Sequence, residues 1–235
     1  MIKTIILAGG YGTRLGDITD NIPKPMVEIG GIPIIVHLMN HYSYYGHTDF
    51  YIALGYKADY IIKYFNNFNS KWNINLIDTG IDTQTGGRCK KVLQKIGKET
   101  VFLTYGDGLS DININELLDF HKHTNKTVTV TAVHPSARFG ELHLDGERVI
   151  TFQEKPQLQT GWINGGFFVL EPNFINYIPN DDVMLERQPL ENATQEKELY
   201  AYKHEGFWQC MDTRRDHYLL ETLWNEGNAP WKNKK

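Results

Sequence analysis

Only two of the 235 residues are cysteine, Cys89 and Cys210, and they stand far apart with no metal-ligand spacing around them. That argues against a disulfide scaffold or a cysteine zinc site and fits two idle thiols in a reducing compartment. No apolar run approaches the roughly 20 residues a membrane helix needs. The opening Ile2-Lys3-Thr4-Ile5-Ile6-Leu7-Ala8 is too short for the apolar region of a secretory signal and runs straight into glycine. Net charge is −4 with acids and bases interspersed, so no basic patch supports nucleic-acid binding. No Ser-His or Cys-His arrangement is recognisable. His121 and His123 are two apart on an expected helix and cannot share a metal, and His134, His143 and His204 have no ligand spacing. These absences lead to the expectation of a cytoplasmic protein with neither a membrane nor a nucleic acid as partner.

What is present is a 41% hydrophobic chain, enough for a core of one or two domains. Thr4 to Ala8 is an unbroken apolar run that stops at Gly9-Gly10, as a strand covered on both faces does. Further strands are expected over Phe50–Leu54, Ile74–Ile77 and Thr100–Tyr105. Helices are expected over Pro33–Tyr45, Asp59–Phe65, Gly87–Ile96 and Ile114–His123, with Tyr42, Tyr44 and Tyr45 carrying the first of these into the core. This alternation predicts a Rossmann-like, doubly wound α/β sheet, mostly parallel. After Lys126 the pattern becomes β-rich: Thr127–Val133, a hairpin around Asp145-Gly146, Ile163–Leu170 and Leu199–Lys203. A helix over Thr213–Trp224 closes the chain, and the polar tail from Asn225 is expected to pack loosely. With no linker or repeat visible, one domain over 1–235 is expected, its first half (1–126) binding a nucleotide and its second (127–235) an acceptor.

Five groups of residues could carry chemistry. Leu7-Ala8-Gly9-Gly10-Tyr11-Gly12-Thr13-Arg14 follows a strand. Its glycines let backbone N–H groups approach anionic oxygens, Thr13 adds a hydroxyl and Arg14 a planar fork suited to phosphate. It is neither a complete dinucleotide fingerprint nor a Walker loop, and by itself it divides evenly between a phosphate cradle and a tight turn. In Pro23-Lys24-Pro25, two prolines hold a lysine that either pairs with phosphate or sits in solvent. Asp107, in Thr104-Tyr105-Gly106-Asp107-Gly108 at a strand's carboxyl end, could hold Mg²⁺ or make a turn. Asp212 could be a second Mg²⁺ carboxylate or the N-cap of the last helix. Finally, Glu154-Lys155 ends a strand, and Asn164-Gly165-Gly166 places two glycines inside another. A glycine pair weakens a strand unless something approaches its backbone, and a sugar fits, with Lys155 toward its phosphate and Asn164 toward its hydroxyls.

Taken in order, the blocks LAGGYGTRL (7–15), PKPMVEIGGIPI (23–34), LIDTG (76–80), TGGR (85–88), TYGDG (104–108), RFGEL (138–142), FQEKP (152–156), INGGFFVL (163–170) and FWQCMDTRRD (207–216) resemble the sugar-phosphate nucleotidyltransferases over nearly the whole chain. The similarity is greatest to the branch that uses CTP and glucose 1-phosphate. The resemblance implies that Leu7, Ala8, Gly9, Gly10 and Tyr11 contact the nucleotide and that Gly12, Thr13, Arg14 and Lys24 contact the triphosphate. Thr83 and Arg88 would lie by the base, and Gly106 beside the metal ligand Asp107, with Asp212 as the second ligand. Glu154, Lys155, Asn164 and Gly165 would hold the sugar phosphate. Arg14, Lys24, Asp107 and Lys155 would be the catalytic charges, Mg²⁺ the cofactor, and the protein a homo-oligomer. The same chemistry with UTP, dTTP or GTP, or with another acceptor phosphate, is the alternative within the class. A nicotinamide-dependent Rossmann oxidoreductase is the alternative outside it, disfavoured by the incomplete glycine fingerprint. One departure is expected: relatives carry roughly twenty more residues, beyond ordinary loop lengths, where Phe65 to Asn75 crosses directly here.

Overall fold

The computed structural model describes residues 1–16, 18–135, 141–153 and 161–232. Strand β1 (Lys3–Leu7) runs into the glycine loop and a short helix α1 (Ile18–Asn21). A small ribbon, β2 (Glu28–Ile29) with β3 (Ile32–Pro33), leads to α2 (Ile34–Tyr44), β4 (Asp49–Leu54), α3 (Ala58–Asn66), β5 (Asn73–Asp78), α4 (Thr85–Ile96) and β6 (Val101–Tyr105). Then come β7 (Gly108–Ser110), α5 (Ile114–Thr124), β8 (Val128–Val133), the hairpin β9 (Glu141–Asp145) and β10 (Arg148–Gln153), and β11 (Ile163–Leu170). The chain ends with α6 (Gln188–Gln195), β12 (Leu199–His204), β13 (Trp208–Cys210) and α7 (Arg214–Asn225).

Seven strands form one sheet in the order β12-β8-β11-β6-β1-β4-β5. All neighbours are parallel except β11, which runs antiparallel to both β6 and β8. The expected doubly wound, mostly parallel sheet is therefore what forms, and the β-rich second half continues that sheet. The unbroken apolar run in β1 has its reason in this architecture: Ile5 and Ile6 are both fully buried, but in cores on opposite faces. Ile6 packs with Ile35, Met39 and Tyr42 of α2, Phe65 of α3 and Leu117 of α5. Ile5 packs with Cys89, Val92 and Leu93 of α4 and Leu190 of α6. Among the described residues, no helix is long and apolar enough to cross a membrane.

A third core gathers the segments that carry the site. Leu15, Val27, Ile29, Ile34, Leu109, Met211, Leu220 and Trp231 pack together. This corrects the expected loose tail: Trp231 is only 2% exposed, and its ring stacks on Phe207 with centroids 5.5 Å apart. A lone tryptophan in a polar stretch has no periodicity to mark it as core, so its burial is invisible in the sequence. The aromatic end of α2 also divides: Tyr42 is buried, but Tyr44 faces solvent at 57% exposure.

Trp231→Ala should cost about 3–5 kcal/mol by opening a cavity in this third core, read as a lower urea midpoint. A second expectation concerns acid. His41 on α2 is buried, its Nε2–H donating to the Ile112 carbonyl at 2.7 Å. Burial outweighs that contact and pulls its pKa from 6.5 down to about 4. The folded state therefore holds it neutral while the unfolded state takes up a proton. Stability is lost as pH falls from about 6.5 to about 4, by roughly 3 kcal/mol from this group. Urea unfolding across that range should show the loss, and His41→Asn should flatten it.

Candidate active site

A cleft of about 680 Å³ opens at the carboxyl ends of β1 and β6, lined by the glycine loop, Lys24, Thr83, Tyr105, Gly106, Asp107, Asn164 and Asp212. That is within the usual size of a ligand site, and it lies where open α/β sheets build theirs. Of the expected residues, Leu7 to Thr13, Lys24, Thr83, Arg88, Gly106, Asp107, Asn164 and Asp212 meet there. Gly165 does not line the cleft. Glu154 and Lys155 lie outside the described residues, as does the Arg14 side chain.

At the centre, Lys24 Nζ donates to Asp107 Oδ2 and to Asp212 Oδ1, both at 2.5 Å. Burial alone would depress the lysine's pKa; the attraction and hydrogen bonds of the two acids outweigh it and hold the pKa above the ordinary lysine value. Lysine therefore stays charged through the neutral range. The solvated-lysine reading of Lys24 is excluded, since the residue is buried. The two acids are 105 residues apart in sequence and are joined by a ribbon too short to be read from it. In that ribbon β13 pairs antiparallel with β7, Cys210 opposite Gly108, and Met211 N–H donates to Asp107 O at 2.9 Å.

Nor is Asp212 the cap of α7. Thr213 is, in a reciprocal box with Asp216, whose carboxylate also accepts from the Asp212 N–H at 3.0 Å. The cap is thus built without the Asp212 side chain, which turns to Lys24. A lysine ammonium between two carboxylates shows that the pair is arranged to share a cation. Two carboxylates beside an open cleft suit Mg²⁺, which binds through one or two acids and substrate phosphates. Among the described residues no cluster of three or more potential ligands exists, so bound oxygens would complete its shell.

The glycine loop is divided in its work. Gly10 has open space where a Cβ would stand, and Gly12 adopts a left-handed φ of 66° with the stem of Lys24 packed against it. Tyr11 stands 49% exposed at the mouth, its ring 4.9 Å from that of Tyr56. Gly9, however, is required by Arg88: a Cβ there would fall 2.4 Å from the guanidinium, and one at Gly55 2.3 Å. Arg88 is buried beneath the loop and donates to five protein oxygens, the carbonyls of Gly9, Leu54, Gly80 and Ile81 and the Thr79 hydroxyl.

Arg88, expected by the base, does line the cleft. Its fork is occupied by the backbone of the surrounding loops, and it sets their positions. Thr83 is similarly engaged, its hydroxyl donating to Thr79 O at 2.6 Å. Gly106 ties β6 to β1 through its N–H, which donates to Leu7 O at 3.0 Å.

The glycine pair in β11 also has a structural reason. The register with β8 shifts between Asn164 and Phe168, Gly166 has φ of 79°, and Val133 would stand 2.8 Å from a Cβ on Gly165. Trp208 Nε1–H donates to Gly165 O at 2.7 Å. The pair is thus a bulge closely covered by protein, and a visiting sugar is not needed to explain it. Cleft residues that sequence reasoning missed include Thr85, Tyr105, Glu186 and Trp208. Glu186 lies in a stretch with no motif, and only folding brings it to the cleft.

A profile described as nucleotidyl transferase matches residues 3–214. The chain is 46% identical to the glucose-1-phosphate cytidylyltransferase of Salmonella typhi, covering 98% of this chain and 99% of that protein. It is 39% identical to the probable glucose-1-phosphate cytidylyltransferase of Bacillus subtilis (strain 168), with the same coverage. These alignments run over 254 and 253 positions, longer than the chain itself, so both relatives have residues with no counterpart here. Among solved structures, HddC from Yersinia pseudotuberculosis complexed with GMP-PN superimposes with a TM-score of 0.76 at 26% identity, over 95% of this chain and all of that one.

The Arg88 arrangement can be tested directly. Arg88→Met should strand several buried acceptors and cost about 3 kcal/mol, and Arg88→Lys should not restore it because an ammonium cannot span a fork's acceptors. Thermal melting of both variants checks this; a wild-type melting temperature in either would contradict the role.

Proposed function

The chain belongs to the nucleotidyl transferase family, and from that premise we propose that it transfers a cytidylyl group from CTP to glucose 1-phosphate, giving CDP-glucose and pyrophosphate. The observation that carries this is the Lys24–Asp107–Asp212 cluster at the rim of the glycine-loop cleft, in a chain nearly half identical, end to end, to a cytidylyltransferase. An oxygen of the sugar phosphate attacks the α-phosphorus, and the bond from that phosphorus to the bridging oxygen of the β-phosphate breaks as pyrophosphate leaves. Both reactants are anions, so the protein's task is alignment and charge neutralisation. The acceptor oxygen is already ionised, and no side-chain nucleophile or general base is needed.

Asp107 and Asp212 would hold Mg²⁺, which supplies positive charge to the phosphate oxygens; the family generally uses a divalent metal. Lys24, held charged between the same two acids, supplies positive charge at this point and would pair with the triphosphate. Backbone N–H groups around Gly10, where no side chain intervenes, would face the phosphates. By the family resemblance Arg14 and Lys155 would add positive charge for the triphosphate and the sugar phosphate, Thr83 would lie toward the base, and Glu154 and Asn164 would lie toward the sugar. HddC, solved with a guanine nucleotide, is the specific reason to keep GTP as the rival donor.

Pyrophosphate release should require CTP, Mg²⁺ and a hexose 1-phosphate together, and a panel of CTP, UTP, dTTP and GTP should select CTP. No release with any triphosphate would refute the reading, and preference for another base would change the donor. Asp107→Asn, which keeps the shape and the Lys24–Asp212 pair, should lower kcat by on the order of 10²–10³-fold; chelation of Mg²⁺ should abolish turnover.

A further inference from the structure

One acid in the cleft is used by none of the phosphate chemistry. Glu186 sits in the loop between Tyr177 and α6 and lines the cleft beside Thr85, Tyr105 and Asn164. Its Oε1 accepts from the Tyr105 hydroxyl at 2.5 Å and its Oε2 from the Thr85 hydroxyl at 2.8 Å. The Tyr105 oxygen accepts in turn from Asn164 Nδ2 at 3.4 Å, and Asn164 Oδ1 accepts from the Gly166 N–H at 2.8 Å. Every donor direction in this chain is determined. A carboxylate only accepts, so the Tyr105 hydroxyl donates its hydrogen bond to Glu186. The Asn164 amide, held at both ends, cannot flip.

The surroundings are built to hold this acid. The loop carrying it is laid on the start of α4, with the Gln84 and Gly86 N–H groups donating to Asp181 O and Val183 O at 2.9 and 3.0 Å. Leu185 N–H donates to the Thr85 hydroxyl at 2.8 Å. Gly86 and Gly87 allow the approach: a Cβ on either would fall 2.6 Å from Val183 O or 2.4 Å from Asp181 O. The TGGR block thus has two purposes, its glycines admitting the Glu186 loop and its arginine holding the phosphate loop.

A carboxylate repels phosphates, so its complement in this cleft is a neutral hydroxyl. Two oxygens with one donor each retain lone pairs for more. Asn164 enters from β11, which is separated by β6 from β1 and its glycine loop. The wall is therefore on the side away from the triphosphate loop. We infer that Glu186, aligned by Tyr105 and Thr85, accepts hydrogen bonds from the ring hydroxyls of the acceptor sugar and sets which hexose phosphate is used. This inference rests on the transferase reading above.

The test is steady-state kinetics of Glu186→Gln and Tyr105→Phe with glucose 1-phosphate and its galactose and mannose epimers. Glu186→Gln should raise KM for glucose 1-phosphate about tenfold or more, leave KM for CTP within about twofold, and narrow the preference between epimers. Tyr105→Phe, which keeps the ring, should shift the same parameter by about threefold and carries the test if the first variant fails to fold. Unchanged acceptor KM with intact epimer preference would overturn the inference, and so would a rise confined to KM for CTP, which would assign the acid to the ribose. Wild-type enzyme inactive with every sugar phosphate would instead refute the transferase reading itself.

Discussion

The ion cluster of Lys24, Asp107 and Asp212 is the constraint on which the site depends. Burying a lysine is costly unless its charge is met, and removing one partner of a buried pair leaves an uncompensated charge. Here two acids meet it, one at the end of β6 and one just before α7, so segments from the start, middle and end of the chain must arrive together. The third core, with Trp231 sealing it, and the β7–β13 ribbon bring that arrival about. The cluster also prepares the chemistry: two carboxylates already brought together around an ammonium are positioned to share another cation.

Arg88 plays the matching part on the nucleotide side. Its guanidinium holds the glycine loop to the ends of β4 and β5 through backbone carbonyls, and Gly9 and Gly55 are glycine because it lies against them. The cations of the cleft therefore divide by what their donors meet. Arg88 is consumed by the protein, while Lys24 is engaged by acids that a metal can take over. The distinction explains how one loop can be both rigid and receptive: Gly9 is packed against Arg88 and Gly12 against Lys24, while Gly10 leaves backbone open.

The sheet was legible in the sequence because its signals are local. Each parallel strand is a short apolar run ending in glycine or acid, and each helix carries its own stop, so β1, β4, β5, β6 and the helices between them fall within a few residues of expectation. The ribbon β7–β13 was not, because three-residue strands have no periodicity. The same holds for Trp231, whose burial depends on what α7 places over it.

By itself the sequence determined the doubly wound fold, the family, and most of the residues that line the cleft, since these follow from residue type and order. Tertiary structure decided what each of those residues does. Asp212 could cap a helix or join a second acid, and with Thr213 and Asp216 building the cap its side chain meets Lys24 beside Asp107. Arg88 was expected by the base, and the structure adds five carbonyl and hydroxyl acceptors that tie its fork to the surrounding loops. Glu186 had no signal at all, because its partners, Thr85, Tyr105 and, through Tyr105, Asn164, are 22 to 101 residues away. The physical reason is common to all three: a side chain's role is set by which donors and acceptors reach it, and hydrogen bonds act over about 3 Å of space, whatever the separation along the chain.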